Sequence, residues 1–239
     1  MKLKNKIVLG TMKLRKYFKN SKELSIFLEY AHNNGIRQLH VSNEYNSYKL
    51  LIKSLIKIKT KKFTFILKLP EPNKDSLQFS LKRFRKKIDN YRKDLGGKHN
   101  YIIQLVNRNN CNNYKRYLLN ERKTLDKIKN LIIKLKKMKY ISEFYFFPYF
   151  KNKNKTKIKK SNFIDGITIY RNINTNSDRY AKQNKFKIIA MRIFGGNKKI
   201  LNKKNFKKLV MFNLRNKLVS KVIIGANNKA QLDKLLEVC

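Results

Sequence analysis

The chain has 239 residues, with 59 Lys plus Arg against 14 Asp plus Glu for a net charge of +45, and 41% of its residues are hydrophobic. That apolar content excludes a disordered basic tail, and no apolar run approaches the roughly 18 residues that a membrane span needs. Met1–Lys6 leads into a strand-like run rather than a signal-peptide core, and the two cysteines, Cys111 and Cys239, form no framework or CxxC pair, so a cytoplasmic protein with reduced thiols is expected.

In chain order, Lys6–Met12 (KIVLGTM) reads as a strand and Ser21–Gly35 as a helix, with Ser21 as N-cap, Leu24, Phe27, Leu28 and Ala31 on one face, and Gly35 as the stop. Ile36–Ser42 is the next strand and Ser47–Ile58 the next helix. Lys62–Leu69 (KFTFILKL) is a strand that Pro70 and Pro72 end. Ser76–Leu95 is amphipathic through Leu77, Leu81, Phe84 and Ile88, and Gly96–Gly97 closes it. Asn100–Asn107 (NYIIQLVN) is a strand and Tyr114–Lys139 a helix. Ile141–Tyr149 is a strand followed by a polar Lys/Asn segment with a weak helical pattern. Phe163–Tyr170 is a strand with a short Asn-rich connection behind it, and Phe186–Phe194 is a strand before Gly195–Gly196. Asn205–Ser220 is helical, Val222–Gly225 a final strand and Ala230–Val238 a final helix.

These are eight strand-to-helix units, two of them with weak helices. Strands buried on both faces read as near-continuous Val/Ile/Leu/Phe runs, as these do. Eight βα units in 239 residues match a minimal (β/α)8 TIM barrel, expected as an α/β single domain over residues 1–239 with short loops. A doubly wound open sheet also fits the alternation, but would normally carry a Gly-rich first turn. The eight glycines supply neither GxGxxG nor GxxxxGK[ST], and His32, His40 and His99 show no metal-ligand spacing, so no metal is expected.

The charge invites a nucleic-acid reading, because Lys and Arg that neutralise phosphates release counterions. Its distribution does not favour it. Basic residues fall in Lys82–Lys87, Lys134–Lys139, Lys151–Lys160 and Lys198–Lys208, over the whole length, whereas most Tyr and Phe lie inside apolar runs such as Phe144–Phe150. Lys outnumbers Arg by 47 to 12 and 30 residues are Asn, a profile like the codon bias of an A/T-rich genome. That bias does not fully explain the shortage of Glu, which leaves selection for a polyanionic partner open.

In a TIM barrel the chemistry sits at the C-terminal strand ends. Strand 1 ends in Leu9-Gly10-Thr11-Met12, strand 2 in His40-Val41-Ser42-Asn43-Glu44-Tyr45, strand 3 carries Lys68, and strand 4 closes on Val106-Asn107-Arg108. A Tyr and a Lys on adjacent strand ends can come within hydrogen-bond reach. An ammonium beside a phenol favours the phenolate and makes that phenol a better proton donor. A lysine inside the run Phe63–Leu69 also needs a reason, since burying an unpaired ammonium is costly; the plain alternative is that it snorkels to solvent.

These segments resemble the aldo-keto reductases. Leu9-Gly10-Thr11-Met12 is similar to the family's LGTM-like first strand, and Gly35-Ile36 through Tyr45 to its GI…D-T-A-x-x-Y-G signature. Lys68 matches the strand-3 lysine, and Ile223-Ile224-Gly225-Ala226-Asn227-Asn228-Lys229-Ala230-Gln231-Leu232 matches the closing I-P-G-A-R-x-x-E-Q-L motif. The resemblance implies a metal-independent, NADPH- or NADH-dependent carbonyl reductase acting on a small-molecule carbonyl substrate. By the same resemblance Tyr45 protonates the carbonyl oxygen as hydride arrives, and Lys68 tunes Tyr45. His40 stands at the family's aspartate. Arg108 stands at its strand-4 histidine in an ungapped comparison, and Asn107 does so with one gap. Thr11, Met191, Gly225, Asn227, Asn228 and Lys229 fall where the cofactor is held, with Met191 at the position of the stacking tyrosine and Asn227 at that of the arginine. The family's Ser-Asn pair is not recognisable near Phe147-Pro148. Asn227 and Asn228 offer backbone and amide donors suited to phosphate, at the N-terminus of the final helix. The other reading that these departures leave open is a catalytically inactive barrel that binds a polyanion or serves as a scaffold.

Overall fold

The computed structural model of the protein describes residues 3–72, 78–108, 120–148, 161–173, 178–195 and 203–239. Eight strands form a closed ring in sequence order: β1 (Ile7–Gly10), β2 (Gln38–Val41), β3 (Thr64–Glu71), β4 (Asn100–Asn107), β5 (Glu143–Phe147), β6 (Gly166–Tyr170), β7 (Lys187–Met191) and β8 (Val219–Ile224). Every neighbouring pair is parallel, and β8 closes on β1 with Ile7 opposite Val222. The described residues include seven α-helices: α1 (Ser21–Asn33), α2 (Tyr48–Lys57), α3 (Leu81–Leu95), α4 (Glu121–Lys137), α5 (Asp178–Gln183), α6 (Lys203–Leu214) and α7 (Lys229–Leu236). This is the (β/α)8 barrel that the alternation predicts.

Period-2 alternation along each strand divides the core in two. Outward residues such as Leu9, Leu39, Leu67, Ile103, Phe146 and Ile188 pack against the helices in the main apolar cluster. Inside the ring a second cluster comprises Val8, Ile66, Ile102, Tyr145 and Ile189, with Ile223 against it. The lumen is therefore plugged by side chains at this level. Two residues further along the same strands stand Gly10, Lys68, Gln104 and Met191. Lys68 and Gln104 bring polar groups into the inward layer at the C-terminal mouth.

Several element bounds differ from the expectations, each for a local reason. β3 does not stop before Pro70 but runs to Glu71, with Pro70 opposite Val106. β2 ends at Val41 opposite Leu67, so β3 beyond that point has one neighbour, and a proline tolerates such an edge. The cap of α1 is Asn20 rather than Ser21: its side chain accepts from the N–H groups of Lys22 and Glu23. Gly35, at φ 90°, follows α1 in a conformation that favours glycine. α6 ends at Leu214, not Ser220, because the Asn216 side chain accepts from the Leu218 N–H and turns the chain into β8, which starts at Val219. The first residues expected in the third and fourth helices, the segment after β5 and Cys111 lie largely or wholly outside the described residues.

Candidate active site

The mouth is built first by β2 and its turn. Tyr45 N–H donates to the Ser42 carbonyl at 3.1 Å, and Tyr48 N–H to the Tyr45 carbonyl at 2.9 Å, so the turn places Tyr45 just before α2. Three neighbours pin this turn. The buried Ser47 hydroxyl donates to the Thr11 carbonyl at 2.7 Å. The Tyr91 hydroxyl on α3 accepts from Asn43 N–H at 2.6 Å. Arg108 donates from Nη2 to Glu44 Oε1 at 2.8 Å.

On this support three of the sequence candidates meet. The Tyr45 hydroxyl lies 3.4 Å from His40 Nδ1. Lys68 Nζ lies 5.5 Å from the centre of the Tyr45 ring. His40 is buried, and its other nitrogen, Nε2, is 2.9 Å from Gln104 Oε1. Gln104 Nε2 in turn contacts Thr168 Oγ1 at 2.9 Å and Met191 Sδ at 3.6 Å. A thioether sulfur can only accept, so the nitrogen end of the amide faces Met191 and the oxygen end faces His40. That orientation protonates His40 at Nε2 and leaves a lone pair on Nδ1, to which the Tyr45 O–H donates. Burial pushes the His40 pKa down to about 4, the hydrogen bond to Gln104 opposes this, and the Lys68 charge adds to the lowering. His40 is a neutral imidazole near pH 7.

The other candidates are placed differently. The Arg108 guanidinium is fully buried beside the mouth: Nε donates to the Pro72 carbonyl at 2.5 Å, and Nη2 reaches Glu44 and, at 3.4 Å, the Pro70 carbonyl. It meets the turn carrying Tyr45 through Glu44. Asn107 bonds outward to Glu121 on α4 at 3.2 Å. The inward position at this level of β4 belongs to Val106, by its parity with Ile102 and Gln104. The Thr11 hydroxyl donates to the His40 carbonyl at 2.8 Å and ties β1 to β2.

At the far side, Gly225 follows β8 with nothing among the described residues within 4 Å of where a Cβ would stand. Asn228 caps α7 by accepting from Gln231 N–H, while Gln231 Oε1 accepts from Asn227 N–H, both at 2.9 Å. The Lys229 side chain turns to the outside, onto Asp233 at 2.9 Å and over the Tyr30 ring of α1. Gln104 and Thr168 were not singled out by the sequence. Their signal was a polar side chain at inward parity inside the apolar runs NYIIQLVN and GITIY. Among the described residues no group of three His, Cys, Asp or Glu side chains could hold a metal, and no helix is long and apolar enough to cross a membrane.

A phenol held between a neutral imidazole and an ammonium, at the open end of a plugged barrel, can release its proton to a bound acceptor. No protein-family profile matches the chain, and no curated protein matches it in sequence. Solved structures do. A protein of Pseudomonas aeruginosa described as an aldo-keto reductase superposes with a TM-score of 0.69 at 15% identity, over 98% of this chain and 90% of that one. An aldo-keto reductase of Bacillus halodurans in its holo form gives 0.71 at 13% identity, over 98% and 86%. A thermostable aldo-keto reductase in complex with the inhibitor epalrestat gives 0.62 at 13% identity, over 97% and 88%. At these identities the likeness is one of architecture: in fold, this chain resembles the aldo-keto reductases over nearly its whole length.

Proposed function

We propose that the protein is a nicotinamide-nucleotide-dependent carbonyl reductase of the aldo-keto reductase type. The observation that carries this reading is the meeting of Tyr45, Lys68 and His40 at the C-terminal mouth of the barrel. The reduced nucleotide, when bound, supplies hydride to the carbonyl carbon of the substrate. The Tyr45 hydroxyl gives its proton to the carbonyl oxygen. Its present bond to His40 is long, at 3.4 Å, so a substrate oxygen can replace it at small cost. The Lys68 ammonium then faces the phenolate that results and lowers its energy. Neutral His40, fixed by Gln104 and Thr168, orients the phenol without competing for charge.

The residues present fit the nucleotide in two respects. The open space at Gly225 lets a phosphate approach the backbone, and the Lys229 and Ala230 N–H groups, which precede the Gln231 N–H that Asn228 caps, have no acceptor within the helix, which suits an anion. Met191, half-buried at the end of β7, offers an apolar surface beside Gln104. One of the structural neighbours is a holo form. In this reading Thr11 supports the site through His40, Asn227 and Asn228 shape the phosphate end, and Arg108 holds the Tyr45 turn.

The test is a cofactor titration followed by tyrosine emission, which the absence of Trp leaves uncontaminated. NADPH and NADH are titrated at low and moderate salt beside a nucleic-acid control. The reductase reading expects saturable quenching by a dinucleotide that persists at moderate salt. Nucleic-acid binding that collapses with salt, with no dinucleotide affinity, would instead support the silent polyanion-binding barrel.

A further inference from the structure

Lys68 occupies an unusual position for a lysine in this chain. Most of the 47 lysines can reach solvent from a helix or loop. Lys68 instead rises from an inward-facing site of β3, opposite Gln104, and is half-buried in the polar layer of the mouth. Its ammonium faces the Tyr45 ring, and among the described residues no carboxylate or carbonyl accepts a hydrogen bond from it. The carboxylates nearest in sequence to the site are engaged elsewhere: Glu44 with Arg108 at 2.8 Å and Glu71 with Lys87 at 2.5 Å. The imidazole beside it, His40, carries no charge near neutrality. Arg192, just past β7, is exposed instead, with its guanidinium 4.4 Å from the centre of the Tyr170 ring.

A partly desolvated ammonium without an acceptor is unfavourable unless something else completes it. On the reading of the site as a carbonyl reductase, we propose that the missing acceptor is a carboxylate of the substrate, adjacent to the carbonyl that is reduced: the substrate class is a small 2-oxo acid. Lys68 Nζ lies 5.5 Å from the centre of the Tyr45 ring, so an anion on Lys68 and an oxygen at the Tyr45 hydroxyl sit close together, as the carboxylate and keto oxygen do on the neighbouring carbons of a 2-oxo acid. In the reaction, hydride from the reduced nicotinamide nucleotide forms the new C–H bond at the keto carbon. The C=O π pair moves to oxygen, the Tyr45 proton forms the hydroxyl, and water returns a proton to Tyr45. The products are a 2-hydroxy acid and the oxidised nucleotide. The carboxylate is unchanged and remains on Lys68.

Two experiments test this. The first is calorimetric titration of the cofactor-free protein with oxamate, a non-reducible isostere of pyruvate, for the wild type, Lys68→Met, Lys68→Arg and Lys53→Gln. A charge-assisted hydrogen bond of roughly 1.5–3 kcal/mol corresponds to a loss of about 10- to 100-fold in oxamate affinity for Lys68→Met. Lys68→Arg should retain most of the affinity, and Lys53→Gln, an exposed change on α2, should match wild type. Equal affinity in wild type and Lys68→Met overturns the proposal. The second compares pyruvate with methyl pyruvate as substrates of wild-type protein with NADPH. The ester keeps the activated ketone and removes the charge, so kcat/KM should fall by about tenfold or more. An ester reduced as well as the acid overturns the 2-oxo acid assignment while the reductase reading stands. Lys68-dependent oxamate binding without NADPH consumption by either compound contradicts the reductase reading and supports the anion subsite alone.

Discussion

His40 links the site to the stability of the protein. In the unfolded chain its imidazole titrates near 6.5, whereas in the folded chain burial holds it at about 4. Between those values the unfolded state binds more protons, so stability rises with pH there. The contribution is fully present above about 6.5 and is lost as pH falls through about 4. The slope is at most about 1.4 kcal/mol per pH unit for one such group. His99, pushed down to about 4 mainly by burial, acts in the same direction. Urea midpoints measured near pH 7 and near pH 4.5 should differ clearly for wild type, and by less for His40→Gln. An unchanged pH dependence in that variant would show that His40 is not the buried neutral group described. The residues of this scale were unevenly legible in sequence. Tyr45, Lys68 and His40 could be picked out because they stand at strand ends in a recognisable order. Gln104 and Thr168 could not, since a lone polar residue in a strand gains meaning only when barrel closure sets Gln104 against a histidine two strands away and Thr168 against Gln104. Arg108 was readable as a strand-end cation, but its burial against the Pro70 and Pro72 carbonyls depends on the path of β3 past its proline, which composition does not reveal.

At the scale of elements, the strand periods were the dependable signal and the ends were not. β4 runs from Asn100 to Asn107, as its apolar run predicts. The bounds that shifted did so where a side chain bonds the backbone, as at Asn20 and Asn216, or where a strand loses a neighbour, as at Pro70. Gly166, at the start of β6, shows why one strand must lack a side chain. A Cβ there would stand 2.2 Å from the Lys187 carbonyl oxygen and 2.6 Å from Tyr145 Cε1. Tyr145 fills the lumen at that level, with its hydroxyl 3.0 Å from Ser220 Oγ. Gly166→Ala should therefore force β6 away from β7 and destabilise by about 3 kcal/mol or more, at the upper end of overpacking costs. Chemical denaturation would read this directly, and a loss below about 0.5 kcal/mol would contradict the packing of Tyr145 against β6.

At the scale of the whole molecule, the eightfold alternation was legible because each strand is buried on both faces and each helix on one, which writes two distinct periods into the sequence. The charge of +45 was equally plain, but it says little about the site. It raises the local concentration of any anion, whereas in the proposed function discrimination is assigned to Lys68 and its neighbours inside the mouth. The central claim is that the Tyr45 hydroxyl delivers the proton that accompanies hydride. Steady-state turnover of Tyr45→Phe, measured beside its NADPH affinity, tests it most directly. The account predicts a fall in kcat of at least about 100-fold, the lower range for a general acid, with cofactor affinity within about twofold of wild type. Turnover equal to wild type in that variant would contradict it.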